Sequence, residues 1–187
     1  MLRKAILYTA LMIFACTGPA PAQTAKKSYA RSDHPALLTE IANWLSANFD
    51  LPAVSELPRT ETVSPMKLTA MRYKGLLPEG WREDRIEDPA VLTASSREVV
   101  AVYNDTTKTI FLAHGWSAAT PAEVSILVHE MVHHLQNLGG FKYECPAARE
   151  KLAYKAQNEW LHQFGLNLEK AFEVDMLTVL VSSTCAN

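Results

Sequence analysis

Residues 120–140 read TPAEVSILVHEMVHHLQNLGG, and this stretch decides the expected fold because it carries the signals of one long helix. Thr120, Pro121 and Glu123 match a capping box with proline at the first helical position. Apolar residues then recur at helical spacing, and Gly139-Gly140 ends the pattern. The sequence therefore predicts a largely buried helix over residues 121–138.

The centre of this helix holds the pentapeptide His129-Glu130-Met131-Val132-His133, which matches the pattern HExxH. An α-helix has about 3.6 residues per turn, so the two histidines project from nearly the same face and Glu130 lies about 100° further round. Histidines at this spacing are typical zinc ligands, and a glutamate between them can act on a water bound to the metal. Two core histidines bonded to carbonyl groups are the alternative, but a complete triplet in a capped helix favours a metal site.

A catalytic zinc ion usually takes three protein ligands, so the motif needs one more. The extended pattern HExxHxxGxxH is absent, because Gln136 and Gly139 stand where it requires glycine and histidine. The candidate for the third ligand is Glu150, near the start of the next predicted helix, because a Gly-Gly turn lets two helices lie side by side. Glu144 and Glu159 compete with it. An exposed carboxylate at a helix N-terminus, stabilised by the helix dipole, is the alternative for Glu150.

The remaining pattern predicts an α+β fold, mainly helical, with a β-hairpin before the HExxH helix. Residues 51–65, with three prolines, are expected to be loop or short extended pieces, and residues 76–97 to be irregular surface structure. The other expected elements are a helix from Pro35 to about Asn48, a short helix from Pro65 towards Gly75, hairpin strands at 99–103 and 108–112, a helix from Pro146 to about Phe164, and a last helix capped by Asn167.

The N-terminal residues indicate export. A basic start, an apolar run over residues 5–15 and Ala20-Pro21-Ala22 before Gln23 match a signal peptide over residues 1–22. The mature chain would be a single domain, 23–187, in the periplasm or secreted. Residues 13–16 also resemble a bacterial lipobox loosely, which leaves lipidation and anchoring at Cys16 as an alternative.

The two cysteines outside this leader, Cys145 and Cys185, are expected to form a disulfide in an oxidising compartment. Closing the loop between them would contribute about 4 kcal/mol in the chain-entropy description. Thiolate ligation of zinc is the alternative, which the absence of CxxC spacing disfavours.

The charge balance argues against some partners. The net charge is −2, and removing the two cationic residues of the leader gives −2 − 2 = −4. A mildly acidic chain gives no support for binding nucleic acid or an anionic membrane. No segment after the leader has about 18 uninterrupted apolar residues, so we expect no stable membrane span in the mature form. The oligomeric state is left open.

The hairpin, the HExxH helix and a following helix that offers Glu150 resemble the gluzincin branch of zinc metallopeptidases in minimal form. Residues 145–160 also resemble small secreted bacterial proteins of zincin type, and the resemblance covers residues 98–165. It implies a zincin-like domain with Zn²⁺ held by His129, His133 and Glu150, and Glu130 as general base and acid. It also implies that the strand at about 109–113 borders the cleft and binds an extended peptide.

The function expected from this resemblance is that of an exported zinc-dependent hydrolase, specifically a metallopeptidase acting on a peptide or protein substrate. A catalytically inactive zincin-like binding or structural protein of the cell envelope is the alternative. Cleavage of amides or esters in cell-wall material is a third hypothesis. Candidate donors to the oxyanion are Tyr154, Tyr143, His134 and His114; a packing role is the favoured alternative for each, and simple exposure is a further alternative for His134. Asp175 or Glu173 could orient the ligand histidines, and ordinary solvated helix charge is the favoured alternative for both.

Overall fold

The protein is represented by a computed structural model that describes residues 34–72 and 100–185, and these form a mixed α/β arrangement. The predictions for the leader, for Cys16 and for residues 76–97 lie outside the described residues. The elements are α1 (His34–Asn48), β1 (Arg59–Val63), α2 (Pro65–Arg72), β2 (Ala101–Asn104), β3 (Thr109–Ala113), α3 (Pro121–Leu138), a 3₁₀ helix (Pro146–Arg149) that continues into α4 (Glu150–His162), α5 (Leu168–Phe172) and α6 (Met176–Ser182).

The helix predicted from the capping box is α3, with the expected bounds. The Thr120 hydroxyl accepts a hydrogen bond from the backbone N–H of Glu123, and the Glu123 carboxylate accepts one from the backbone N–H of Thr120. Twelve residues of α3 between Val124 and Gln136 are buried. Helices α1 and α4 and strand β2 pack around them. No helix in the described ranges is long and apolar enough to cross a membrane.

The three strands form one sheet of order β1-β3-β2. The expected hairpin is present, since β2 pairs with β3 in antiparallel fashion. Within residues 51–65, expected to be loop or short extended pieces, the extended piece is β1, which pairs in parallel with β3, with Thr60 opposite Ile110. The Thr and Val residues of β1 suit a strand, but its hydrogen-bond partners lie far along the chain.

The C-terminal region departs from the single last helix that the pattern predicted. Glu173 has φ 51°, in the left-handed region, and this residue ends α5. Asp175 then caps α6 by accepting a hydrogen bond from the backbone N–H of Leu177. The chain is joined back to the start of the 3₁₀ helix by the predicted disulfide between Cys145 and Cys185, whose Cα atoms are 5.9 Å apart. This bond excludes thiolate ligation by the pair.

Candidate metal centre

Three side chains from two helices meet at the centre of the molecule. The Nε2 atoms of His129 and His133, one turn apart on α3, lie 3.2 Å from each other. The Glu150 Oε2 atom, from the first residue of α4, is 3.1 Å from His129 Nε2 and 3.4 Å from His133 Nε2. The side chains of the two histidines are 9% and 6% exposed and that of Glu150 is 13% exposed. This buried cluster could bind a metal ion.

The packing of α4 on α3 explains why Glu150 is the carboxylate that reaches the histidines. Ala153 and Gln157, three and seven residues further along α4, are buried on the same face. The small side chain of Ala153 lets the two helices approach closely. The two competing candidates do not join the cluster: Glu144 is exposed before the helix, and Glu159 is exposed on α4.

An amide side chain fixes the orientation of the His133 ring. The Gln136 Nε2 donates to the backbone carbonyl of Arg149 at 3.1 Å, and the Gln136 Oε1 lies 3.1 Å from His133 Nδ1. A carbonyl can only accept, so this bond determines which end of the amide faces the ring. His133 Nδ1 must therefore carry the hydrogen, and the lone pair of its Nε2 points into the cluster.

A second amide, that of Gln157, fixes the orientation of the His129 ring. The Ser125 hydroxyl donates to the carbonyl of Ala122 at 2.7 Å and accepts from Gln157 Nε2 at 3.3 Å. The Gln157 Oε1 consequently faces His129 Nδ1, at 3.1 Å, and accepts its hydrogen. His129 Nε2 is thus also a bare acceptor directed at the cluster.

Two imidazole lone pairs and a carboxylate oxygen in mutual contact repel one another, and a cation among them would offset that repulsion. Zinc–nitrogen bonds of about 2.0–2.1 Å in tetrahedral geometry put ligand atoms roughly 3.3–3.4 Å apart. The observed separations of 3.1, 3.2 and 3.4 Å are close to that spacing. The donor set therefore fits a small divalent metal, with both histidines already in the tautomer that binds it.

The electrostatics of the cluster also favour a cation. Burial by itself would raise the pKa of Glu150, but the hydrogen bonds and positive charge that imidazoles protonated at Nε2 supply in the metal-free cluster bring that pKa far below its ordinary value. Burial would lower the pKa of His133, yet the hydrogen bond and charge of Glu150 outweigh it and raise that pKa. Without a metal, a proton shared with Glu150 takes the place of the cation.

Glu130 lies beside the cluster and is 6% exposed. Its Oε2 accepts a hydrogen bond from the backbone N–H of Tyr103 on β2, at 2.7 Å. Its negative charge contributes to the raised pKa of His133. Its role as general base stays a prediction.

Neither acidic residue considered as a partner of the two histidines reaches them, and both are solvated, as the favoured alternative had it. Asp175 is exposed and caps α6, and Glu173 is exposed beyond the end of α5. The Nδ1 atoms instead bond to the amides of Gln136 and Gln157. Gln136 had a signal in the sequence, because a polar residue three positions after His133 lies on the metal-facing side of the helix.

Of the four candidate oxyanion donors, Tyr154 is the one in contact with the cluster. Its ring meets the ring of His129 edge-on, with the centroids 4.7 Å apart. Burial raises the pKa of Tyr154, and the negative charge of Glu150 raises it further. The tyrosine therefore has its proton at neutral pH and remains a donor.

The other three candidates lie elsewhere. His134, for which exposure was one alternative, is fully buried, and its ring bonds to Tyr103 and to the backbone carbonyl of Glu56. Tyr143 is exposed and stacks on Phe141, and His114 is exposed. The contacts of these three residues give no support to a role as oxyanion donor at the metal cluster.

The expected peptide-binding strand at residues 109–113 also needs correction. This strand is β3, which lies at the centre of the sheet and pairs with β1 on one edge and β2 on the other. Its backbone N–H and C=O groups are therefore already bonded to neighbouring strands and cannot bind an extended peptide.

Comparisons with known proteins place the chain within a family but carry no description of activity. A family model described as "Domain of unknown function (DUF6647)" matches residues 30–187, a range that contains the whole candidate metal centre. No curated protein matches the chain, and no solved structure does. The chemistry of the site must therefore be argued from its own residues.

Proposed function

The chain belongs to the DUF6647 family, and we propose that it is an exported zinc-dependent hydrolase, specifically a metallopeptidase. One observation carries the proposal: two histidines with their Nε2 lone pairs fixed inward converge with Glu150, and a second glutamate, Glu130, lies beside them. Three ligands and a separate carboxylate are the set that metal-assisted hydrolysis requires.

Zinc is the proposed metal. Two imidazole nitrogens and one carboxylate oxygen form a typical catalytic zinc set, which leaves a fourth position for water or substrate. When bound, the ion would act as a Lewis acid that polarises a carbonyl group and lowers the pKa of water to near neutrality.

The residues of the chain supply the remaining chemistry. With one oxygen bonded to the Tyr103 amide, Glu130 keeps its other oxygen for a proton taken from water and passed to the leaving amine. The Tyr154 hydroxyl is the proposed donor to the oxyanion that develops on the substrate carbonyl. The nitrogen of a peptide bond must take up a proton to leave as a neutral amine, and Glu130 can supply that proton. We therefore infer a peptide or protein as substrate.

The order of the elements supports a zincin-like arrangement. A hairpin leads into α3 with the HExxH motif, and α4 follows with its glutamate facing that motif. The disulfide between Cys145 and Cys185 is compatible with export, because such bonds persist in oxidising compartments.

The proposal is tested by metal analysis together with hydrolysis. Protein purified without chelators is expected to contain one zinc per chain, and Glu150→Ala to lower zinc affinity at least about tenfold. Glu159→Ala, an exposed change on the same helix, is the matched control and keeps wild-type affinity. Protein without metal, whose melting temperature zinc leaves unchanged, would refute the metal centre.

The catalytic part is tested with Glu130→Gln. This variant is expected to retain zinc and lose hydrolysis of the peptides that the wild type cleaves in a diverse library. Zinc bound by the wild type without cleavage of any peptide would favour a zincin-like binding protein. Cleavage confined to amides or esters of cell-wall material would keep the chemistry and replace the substrate.

A further inference from the structure

Helix α3 carries two parallel stripes of polar residues, each with spacing i, i+4, i+7. The first stripe forms the metal centre with its ligands and one orienting amide. The second stripe lies one position further round the helix, and all its members bond to a single residue of β2, Tyr103. The metal stripe is His129, His133 and Gln136, and the tyrosine stripe is Glu130, His134 and Asn137.

Tyr103 is held by α3 at both of its ends. Its backbone N–H donates to Glu130 Oε2 at 2.7 Å. Its hydroxyl accepts from Asn137 Nδ2 at 2.9 Å and lies 3.1 Å from His134 Nδ1. The residue is 9% exposed, so these bonds form in an environment with little water to replace them.

The direction of each hydrogen bond at the hydroxyl is determined. His134 Nε2 lies 2.6 Å from the backbone carbonyl of Glu56, which can only accept, so Nε2 carries the ring hydrogen. His134 Nδ1 is then bare and accepts the hydrogen of the Tyr103 hydroxyl. The hydroxyl thus donates once and accepts once, from Asn137, and it cannot be replaced by an apolar group without leaving a buried acceptor unpaired.

The register of the sheet aims the Tyr103 amide at the helix. Ala113 N–H donates to the carbonyl of Val100, and hydrogen-bonded pairs alternate along an antiparallel ladder. Val102 is therefore the next residue bonded to β3, opposite Phe111, and the peptide groups of Tyr103 point to the other side. The Glu130 carboxylate lies on that side.

From these contacts we propose that Tyr103 is the positioning residue of Glu130. The hydroxyl, bonded to His134 and Asn137, fixes the strand against α3, and the backbone N–H holds one oxygen of Glu130 so that the other is available for proton transfer. The inference rests on the proposed function of Glu130, while the hydrogen bond itself is independent of turnover. The metal ligands lie on the other stripe, so the positioning acts on the base and leaves the metal in place.

Tyr103→Phe tests this role because it removes the hydroxyl and keeps the backbone amide. With zinc bound and the peptide that the wild type cleaves best, kcat is expected to fall about tenfold or more, since misplacement of a reacting group by about 1 Å can cost 100-fold. KM and zinc affinity should stay within about twofold, because neither depends on where Glu130 points. Ile41→Val, a buried change on α1, controls for loss of stability alone.

The amide proton of residue 103, followed by NMR, reports the hydrogen bond directly. A bond to a carboxylate moves it downfield, so Glu130→Gln and Tyr103→Phe are each expected to move it upfield. An unmoved amide in either variant overturns the inference, as does Tyr103→Phe with wild-type kcat or with kcat lost together with zinc. If the wild type cleaves nothing, the proposed function fails, and the two amide shifts still decide whether Tyr103 holds Glu130.

Discussion

Gln136 and Gln157 each present an amide oxygen to a histidine Nδ1 at 3.1 Å, and the other end of each amide is fixed by a group that must accept. A histidine alone exchanges freely between its two neutral tautomers. These amides favour the Nδ1–H form before any metal arrives, so the ligand atoms are preorganised. Neutral amides also add no negative charge to a site that already contains two glutamates.

Gln157→Leu is expected to lower zinc affinity about 10- to 100-fold, because His129 loses the acceptor that fixes its tautomer. Gln157→Glu should keep or raise the affinity, since a carboxylate accepts the same hydrogen bond. Competition with a chromophoric chelator measures both. Gln163→Leu, an exposed change beyond the end of α4, is the control. Equal affinities for the wild type and Gln157→Leu would contradict this orienting role.

The metal-free protein is expected to lose stability as the pH rises above neutrality. The charge of Glu150, whose pKa is lowered from 4.5, stabilises the fold above about that pH, and this contribution is lost in stronger acid. Protonated His133, whose pKa is raised from 6.5, stabilises the fold fully below pH 6.5, and this contribution is lost as the pH passes its raised pKa. The ion pair between Glu150 and His133 therefore stabilises the metal-free protein most between about pH 4.5 and pH 6.5.

Zinc reverses the alkaline part of this dependence, because it competes with the proton for His133 Nε2 and binds more tightly as the proton leaves. Calorimetry between about pH 6 and pH 9 measures both effects. With chelator present, the melting temperature should fall as the pH rises, and the rise in melting temperature on adding zinc should become larger. The difference between wild type and Glu150→Ala isolates the cluster from other titrating groups. If the difference in melting temperature between the metal-free wild type and metal-free Glu150→Ala does not change with pH, the ion pair between Glu150 and His133 does not form.

At the scale of elements, α3 could be predicted to its bounds because all its signals are local. The capping box, the proline and the Gly-Gly stop lie within the helix or next to it. By contrast, β1 is a strand because β3 lies beside it, and a pairing between residues 59–63 and 109–113 leaves no local pattern. The break at Glu173 escaped prediction because an apolar stripe continues across it, although Asp175 offers a cap.

Thr120→Ala tests whether these local signals stabilise the element that carries the site. The change removes the acceptor for the Glu123 N–H, at 3.1 Å, and should lower the free energy of unfolding by about 1 kcal/mol. Urea denaturation measures the loss, as a lower midpoint at an unchanged slope. Zinc affinity should hold, because the cap is more than two turns from His129. A loss of zinc binding would show that fraying reaches the metal centre.

At the scale of the whole molecule, the metal centre and the disulfide connect different pairs of segments. The candidate ligands lie on α3 and α4, whereas the disulfide joins the segment before α4 to the C-terminal end of α6. The disulfide and the approach of Glu150 to the two histidines could be predicted from the sequence, since each needed only residue type and an approximate place. The sequence could not predict the two amides at the cluster or the Tyr103 anchor, because those depend on how α3, α4 and β2 lie against one another.

Because the two links constrain different loops, their contributions to stability are expected to add. Replacing both Cys145 and Cys185 by serine should lower the free energy of unfolding by about 4 kcal/mol. Saturating zinc should raise that free energy by the same amount in both proteins, within about 0.5 kcal/mol. Urea denaturation of the wild type and the serine variant, each with and without zinc, measures the four free energies of unfolding that this comparison needs. A smaller increment from zinc in the serine variant would instead mean that the disulfide holds Glu150 in reach of the histidines.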